Sequence, residues 1–181
     1  MKKAALVWMA LIIPVLTGSA FAAPAAAPQA AMIDETKVFN EFKAAAPASA
    51  IRTIDELYSK YQEVLAGKSK AIIIDVRREA EFDTGHIKNS NNLEAEMAYT
   101  LPKKITDPNT EIWVVCRTKH RATYFVGTLY KYGYKNVYLV DGGIAGWAEK
   151  GYPLVNKYLG EIKVAKYQHN ASEDFLFREN K

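Results

Sequence analysis

Two stretches, "AIIIDV" at residues 71–76 and "EIWVVC" at 111–116, are continuous runs of mostly β-branched and aromatic residues with no polar alternation. A strand with one wet face alternates polar and apolar positions. A strand covered on both faces by helices does not, and such runs mark the parallel sheet of an α/β domain. A third run, "NVYLV", follows at 136–140. Between the runs the periodicity turns helical. "IDELYSKYQEVLAG" places Ile54, Leu57, Tyr61 and Leu65 on one face, with Thr53 and Glu56 at capping-box spacing and Gly67 as the stop. "RATYFVGTLYKYGY" predicts a second helix that ends at Gly133, and "GGIAGWAEKGYPL" predicts a tight turn at Gly142 and Gly143 and a short helix with Trp147 in the core. Strands alternating with helices over about 100 residues predict one α/β domain. Reactive groups in such sheets gather at the carboxyl ends of the strands. Asp75 and Cys116 both stand there.

The chain opens with Lys2 and Lys3, an apolar stretch from Ala4 to Leu16, and Ala20-Phe21-Ala22. This is the order of a secretory signal, with cleavage expected after Ala22. The stretch is short and broken by Pro14, which disfavours a membrane anchor. Residues 1–22 are therefore read as a signal peptide, the product as periplasmic or secreted, and stable membrane insertion is not expected after its removal. Residues 23–50 begin as an Ala/Pro-rich tether, with "MIDETKVFNEFKAAA" predicting a short helix capped by Asp34 whose Val38, Phe39 and Phe42 share a face. The 24 Lys and Arg exceed the 20 Asp and Glu by four, and two of the excess lie in the signal. The rest are spread along the chain rather than gathered in a patch with aromatics, so no nucleic-acid partner is expected.

Cys116 is the only cysteine. An exported chain with an odd cysteine points to an intermolecular bond or a reactive thiol. A small buried hydrophobe is the alternative. The run that follows, Arg117, Thr118, Lys119, His120 and Arg121, is polar and basic. A helix N-terminus and nearby cations lower a thiol's pKa from about 8.5 to about 3.5–7.5. Successive amides curled around the sulfur would form an anion-binding nest. The expectation is a thiolate that meets an anionic substrate and carries a covalent intermediate.

"IIIDVRREAEFDTGHI", "VVCRTKHR", "GYKNVYLVDGGIAGW" and "GYPL", in this order and at these distances, resemble the rhodanese (sulfurtransferase) family across roughly residues 50–155. The resemblance implies a rhodanese-like α/β fold, a five-stranded parallel sheet flanked by helices. It also implies a cysteine that takes a sulfane sulfur as a persulfide and passes it to a nucleophilic acceptor. Carried over by position, Cys116 is the sulfur carrier, Arg117, Thr118, Lys119, His120 and Arg121 form the cradle, and Arg121 closes it. Lys119 stands where many single-domain members have glycine, which implies altered loop geometry and puts the thiosulfate preference in question. Exported polysulfide-sulfur transferases of this fold also lack that glycine. The expected partners are a small anionic sulfur donor, thiosulfate or polysulfide, and a thiol, cyanide or protein acceptor. No cofactor is expected.

Asp75 and Arg77 match positions that hold the loops together, and His86 reads as a hydrogen-bonded structural histidine. Glu81 either balances an arginine or is a solvated charge. His120 could instead pair with Cys116 in catalysis. The three histidines and one cysteine lack ligand spacing, so no metal site is expected. Cysteine phosphatases and arsenate reductases of related fold use Cys-x5-Arg, whereas Cys116 to Arg121 is Cys-x4-Arg, a tighter ring. The other rival is a non-catalytic rhodanese module that binds or passively carries sulfur. The domain is thus read as residues 51–155, with a C-terminal extension at 156–181 that either packs back on it or makes a homodimer contact.

Overall fold

The computed structural model describes residues 34–164. The signal peptide, the start of the tether and the tail beyond residue 164 lie outside the described residues. Five parallel strands form the central sheet: β1 (Ile51–Arg52), β2 (Ile72–Asp75), β3 (Asn91–Asn92), β4 (Ile112–Val115) and β5 (Val137–Val140), in the order β1-β5-β4-β2-β3. The helices are α1 (Glu35–Ala45), α2 (Ile54–Leu65), α3 (Glu79–Thr84), α4 (Leu101–Lys104), α5 (His120–Lys131) and α6 (Gly143–Glu149). A second, antiparallel ribbon joins β6 (Leu154–Asn156) to β7 (Gly160–Ile162). The fold class expected from the sequence is therefore the one observed.

The apolar runs divide between the two faces residue by residue, as period-two strands must. Ile74, Ile112 and Val114 pack beneath α5 with Phe125, Val126 and Leu129. Ile73, Trp113 and Val115 face the other way, beneath α2 and α6, with Leu57, Tyr61 and Trp147. Trp147 is fully buried and donates its indole N–H to the Pro153 carbonyl at 2.9 Å. Thr53 and Glu56 form the capping box, the Thr53 hydroxyl accepting from Glu56 N at 3.2 Å and the Glu56 carboxylate accepting from Thr53 N at 2.8 Å. Ile54, Leu57 and Tyr61 are buried as the spacing predicts, each worth about 1.5–3 kcal/mol. Leu65 is not: it is 44% exposed, because α2 ends there and runs past the edge of the core.

Two strands escape the hydrophobic pattern because each has only two residues. β3 lies in the polar stretch after β2, where the Asn92 amide donates to the Asp75 and Arg77 carbonyls at 2.9 and 2.8 Å. α1 forms where expected, with Asp34 accepting from Thr36 N at 3.0 Å. Its half-buried face packs on α5, Phe42 against Tyr124 at 5.1 Å between ring centroids. After β6 the chain turns back, and Ile162 and Val164 pack against the α2/α6 core. No helix among the described residues is long and apolar enough to cross a membrane.

Candidate active site

The pairing of β2 with β4 sets Asp75 beside Val115, one residue before Cys116. Cys116 leaves the carboxyl end of β4, and the chain curls through Arg117, Thr118 and Lys119 into α5. The amides of Thr118, Arg121 and Ala122 are directed at its sulfur. The carbonyls on the far side of this curl are held by the start of α6. Ile144 N donates to the Cys116 carbonyl and Ala145 N to that of Arg117, both at 2.9 Å. Free N–H groups at one helix terminus thus fix the loop's oxygens outward, which leaves its own N–H groups facing the sulfur.

Gly143 makes this approach possible. Its φ is +53°, and a Cβ there would lie 2.3 Å from the Cys116 oxygen and 2.7 Å from those of Arg117 and Thr118. The sequence marked the Gly142-Gly143 pair as a turn. Only the fold shows that Gly143 is also the surface on which the cysteine loop rests.

Cys116 is 2% exposed, and burial pushes its thiol pKa up. The amides of Ala122 and Thr118 and the Arg121 guanidinium oppose that shift without overcoming it. The expected low-pKa thiolate is therefore corrected: in this closed loop, loss of solvent outweighs the local positive charge.

The cations around the loop are also not the open ring the sequence suggested. Arg121 donates two hydrogen bonds to the Glu81 carboxylate, at 2.6 and 2.8 Å. This holds Glu81 below the usual glutamate range and resolves its role as the arginine's partner. Lys119 Nζ lies 3.3 Å from the Asp141 carboxylate. Its φ is −158°, outside the left-handed region, so the loop accepts lysine without the strain that a glycine position would impose. His120 stacks on Phe39 at 4.7 Å and places Nε2 at 3.1 Å from Glu35. Arg117 is half-buried and contributes the carbonyl bound by α6.

A family model described as the rhodanese-like domain matches residues 56–150, more than half of the chain. The chain belongs to the rhodanese-like domain family. It is 30% identical over 105 residues to an adenylyltransferase and sulfurtransferase UBA4 of Candida albicans, covering 54% of this chain and 24% of that one. It thus spans about a quarter of that relative's length. A sulfurtransferase of Allochromatium vinosum is 27% identical over 93 residues, covering 50% of this chain and 84% of that one. The solved thiosulfate sulfurtransferase of Pseudomonas aeruginosa shares the fold, with TM-score 0.52 and 23% identity over 66% of this chain and 23% of that one.

Within the rhodanese-like domain the supporting residues hold loops. Asp75 is fully buried and accepts from Arg77 N, Nε and Nη2, the last at 2.7 Å, while Nη2 also donates to the Gly85 carbonyl at 2.7 Å. His86 stacks on Phe82 at 3.7 Å, with Nδ1 2.8 Å from the Phe82 carbonyl, and its backbone bridges Val155. These three fasten the segment between β2 and β3. Asp141, which pairs with Lys119, and Glu35, which contacts His120, were not found by sequence reasoning. Asp141 follows β5 directly and carried no distinguishing pattern. Glu35 lies in a helix 85 positions before its partner.

Proposed function

We propose that this chain is a sulfurtransferase that carries sulfane sulfur on Cys116. The observation that carries the reading is the lone thiol at the carboxyl end of β4 with three backbone amides aimed at it. The Cys116 thiolate attacks the sulfane sulfur of thiosulfate or a polysulfide. A sulfur–sulfur bond forms at Cys116, and the donor's own bond breaks with its electron pair leaving on sulfite or the shortened polysulfide. The outer sulfur of the resulting persulfide then bears the negative charge, and the amide nest stabilises it. A thiol, cyanide or protein acceptor takes that sulfur and returns the thiolate. Backbone amides lie ready before the charge arrives, which is what makes such sites effective in spite of a buried resting thiol.

Phosphate chemistry is the weaker reading, because Arg121, which would clamp a phosphoryl group, is held by both Glu81 oxygens. Transfer to cyanide separates these readings. Cys116-dependent thiocyanate formation from thiosulfate or polysulfide, absent in Cys116→Ser, supports sulfur transfer. Turnover of a phosphate ester without thiocyanate formation would replace it.

We also propose export to the periplasm or beyond, supported by the order of charged, apolar and small residues from Lys2 to Ala22. Protein recovered from an envelope or culture fraction should begin at Ala23. Retention of Met1 in that protein would refute cleavage.

A further inference from the structure

α1 lies outside the span that matches the rhodanese-like family, yet it is seated on α5 by a backbone-to-backbone notch. A Cβ at Gly127 would stand 2.3 Å from the Phe42 carbonyl oxygen and 2.8 Å from its carbon. Only glycine lets the two helices approach so closely. Lys131 Nζ sits 4.1 Å over the Phe42 ring and Phe39 stacks on His120, so the contact runs along α5 up to the cysteine loop. The first turn of α1 therefore brings Glu35 to the start of α5, the helix that the cysteine loop enters. One carboxylate oxygen lies 3.1 Å from His120 Nε2 and accepts from the Tyr124 hydroxyl at 2.6 Å.

The charge balance around the loop gives this contact a consequence. Glu81 and Asp141, which compensate Arg121 and Lys119, belong to the family-matched span. Glu35 is an additional negative group brought from outside it, four residues in sequence from the sulfur-bearing position through His120. Tyr124 is pushed up to about 12 by that carboxylate, so it remains a neutral donor and adds no charge of its own. A fixed charge near a site acts on a doubly charged ligand about twice as strongly as on a singly charged one, and salt screens the difference.

We propose that Glu35 is a specificity-determining residue of the sulfur-transfer reaction, its carboxylate disfavouring doubly charged sulfur donors relative to singly charged ones. The inference rests on the sulfurtransferase reading. It is tested with two donors of the same reactive group and different charge, thiosulfate and methanethiosulfonate, with cyanide as acceptor. In each case Cys116 gains the sulfane sulfur, sulfite or methanesulfinate departs with the bonding pair, and cyanide leaves as thiocyanate. Glu35→Gln should raise kcat/KM for thiosulfate relative to methanethiosulfonate by about two- to fivefold at low ionic strength, the size of effect one exposed charge produces. The ratio should return toward the wild-type value in high salt. Gly127→Ala, which pushes α1 off α5 without touching the loop, should shift the ratio in the same direction.

Equal loss for both donors in Glu35→Gln, or an unchanged ratio, would overturn the inference and leave the sulfurtransferase reading standing. Absence of Cys116-dependent turnover of either donor by the wild-type protein would overturn both.

Discussion

Replacing Gly143 by alanine tests how the cysteine loop is held. The new Cβ would lie 2.3 Å from the Cys116 carbonyl oxygen, about 1 Å inside ordinary contact, with the Arg117 and Thr118 oxygens at 2.7 Å. Backbone cannot swing aside as a flexible side chain would, so the loop and α6 must part. Alanine at φ +53° costs about 1–2 kcal/mol by itself. Losing the bonds from Ile144 N and Ala145 N costs about 0.5–1.5 kcal/mol each. Gly143→Ala should therefore destabilise the domain by about 2–5 kcal/mol in urea unfolding. A nest displaced by about 1 Å should also lower sulfur transfer on the order of a hundredfold. Gly133→Ala is the control. Gly133 has φ +94° and open space around its Cβ position, so alanine there should cost about 1 kcal/mol or somewhat more and leave transfer intact. A Gly143→Ala protein with wild-type unfolding midpoint and wild-type transfer would refute the reasoning.

Three further outcomes follow from the same geometry. Asp75→Asn leaves the Arg77 guanidinium buried without its carboxylate and should cost about 3–5 kcal/mol in urea unfolding, and a cost under 1 kcal/mol would contradict the pairing. The Glu81 carboxyl titrates below its unfolded value because Arg121 binds it, so its contribution is fully present above the ordinary value of about 4.3 and fades as pH falls through the lowered folded value. The stability difference between wild type and Glu81→Gln should accordingly be flat near neutrality and shrink in acid; a difference that grows in acid would be inconsistent with this. Because burial raises the Cys116 thiol, its alkylation by iodoacetamide in the resting protein should rise with pH to a midpoint above the ordinary thiol value of about 8.5. A midpoint below 7 would restore the low-pKa thiolate.

What could be read from the sequence was whatever depends on local pattern. The runs that became β2, β4 and β5 are legible because a doubly covered strand needs apolar residues at every position, and Cys116 was legible as the residue where one such run gives way to a basic loop. Thr53 and Glu56 announce α2 because both halves of the capping box lie within one turn. β1 and β3 have two residues each, too few to show a period, and are held by neighbours that the sequence does not order. The site divides in the same way. That amides would surround the sulfur follows from a loop entering a helix, whereas the direction of the thiol's pKa depends on burial against charge and so on the whole packed domain. Of the cradle residues named from the sequence, Thr118 and Arg121 aim amides at the sulfur, while the side chains of Lys119, His120 and Arg121 lie against carboxylates on three separate segments.

The central claim is that Cys116 accepts and holds transferable sulfane sulfur. Intact-protein mass spectrometry tests it most directly, on reduced protein exposed briefly to thiosulfate and, separately, to polysulfide. The expected result is a gain of one or more sulfur atoms from at least one donor, mapped to Cys116, removed by cyanide and absent in Cys116→Ser. An unchanged mass with both donors, or the same gain in Cys116→Ser, would contradict it.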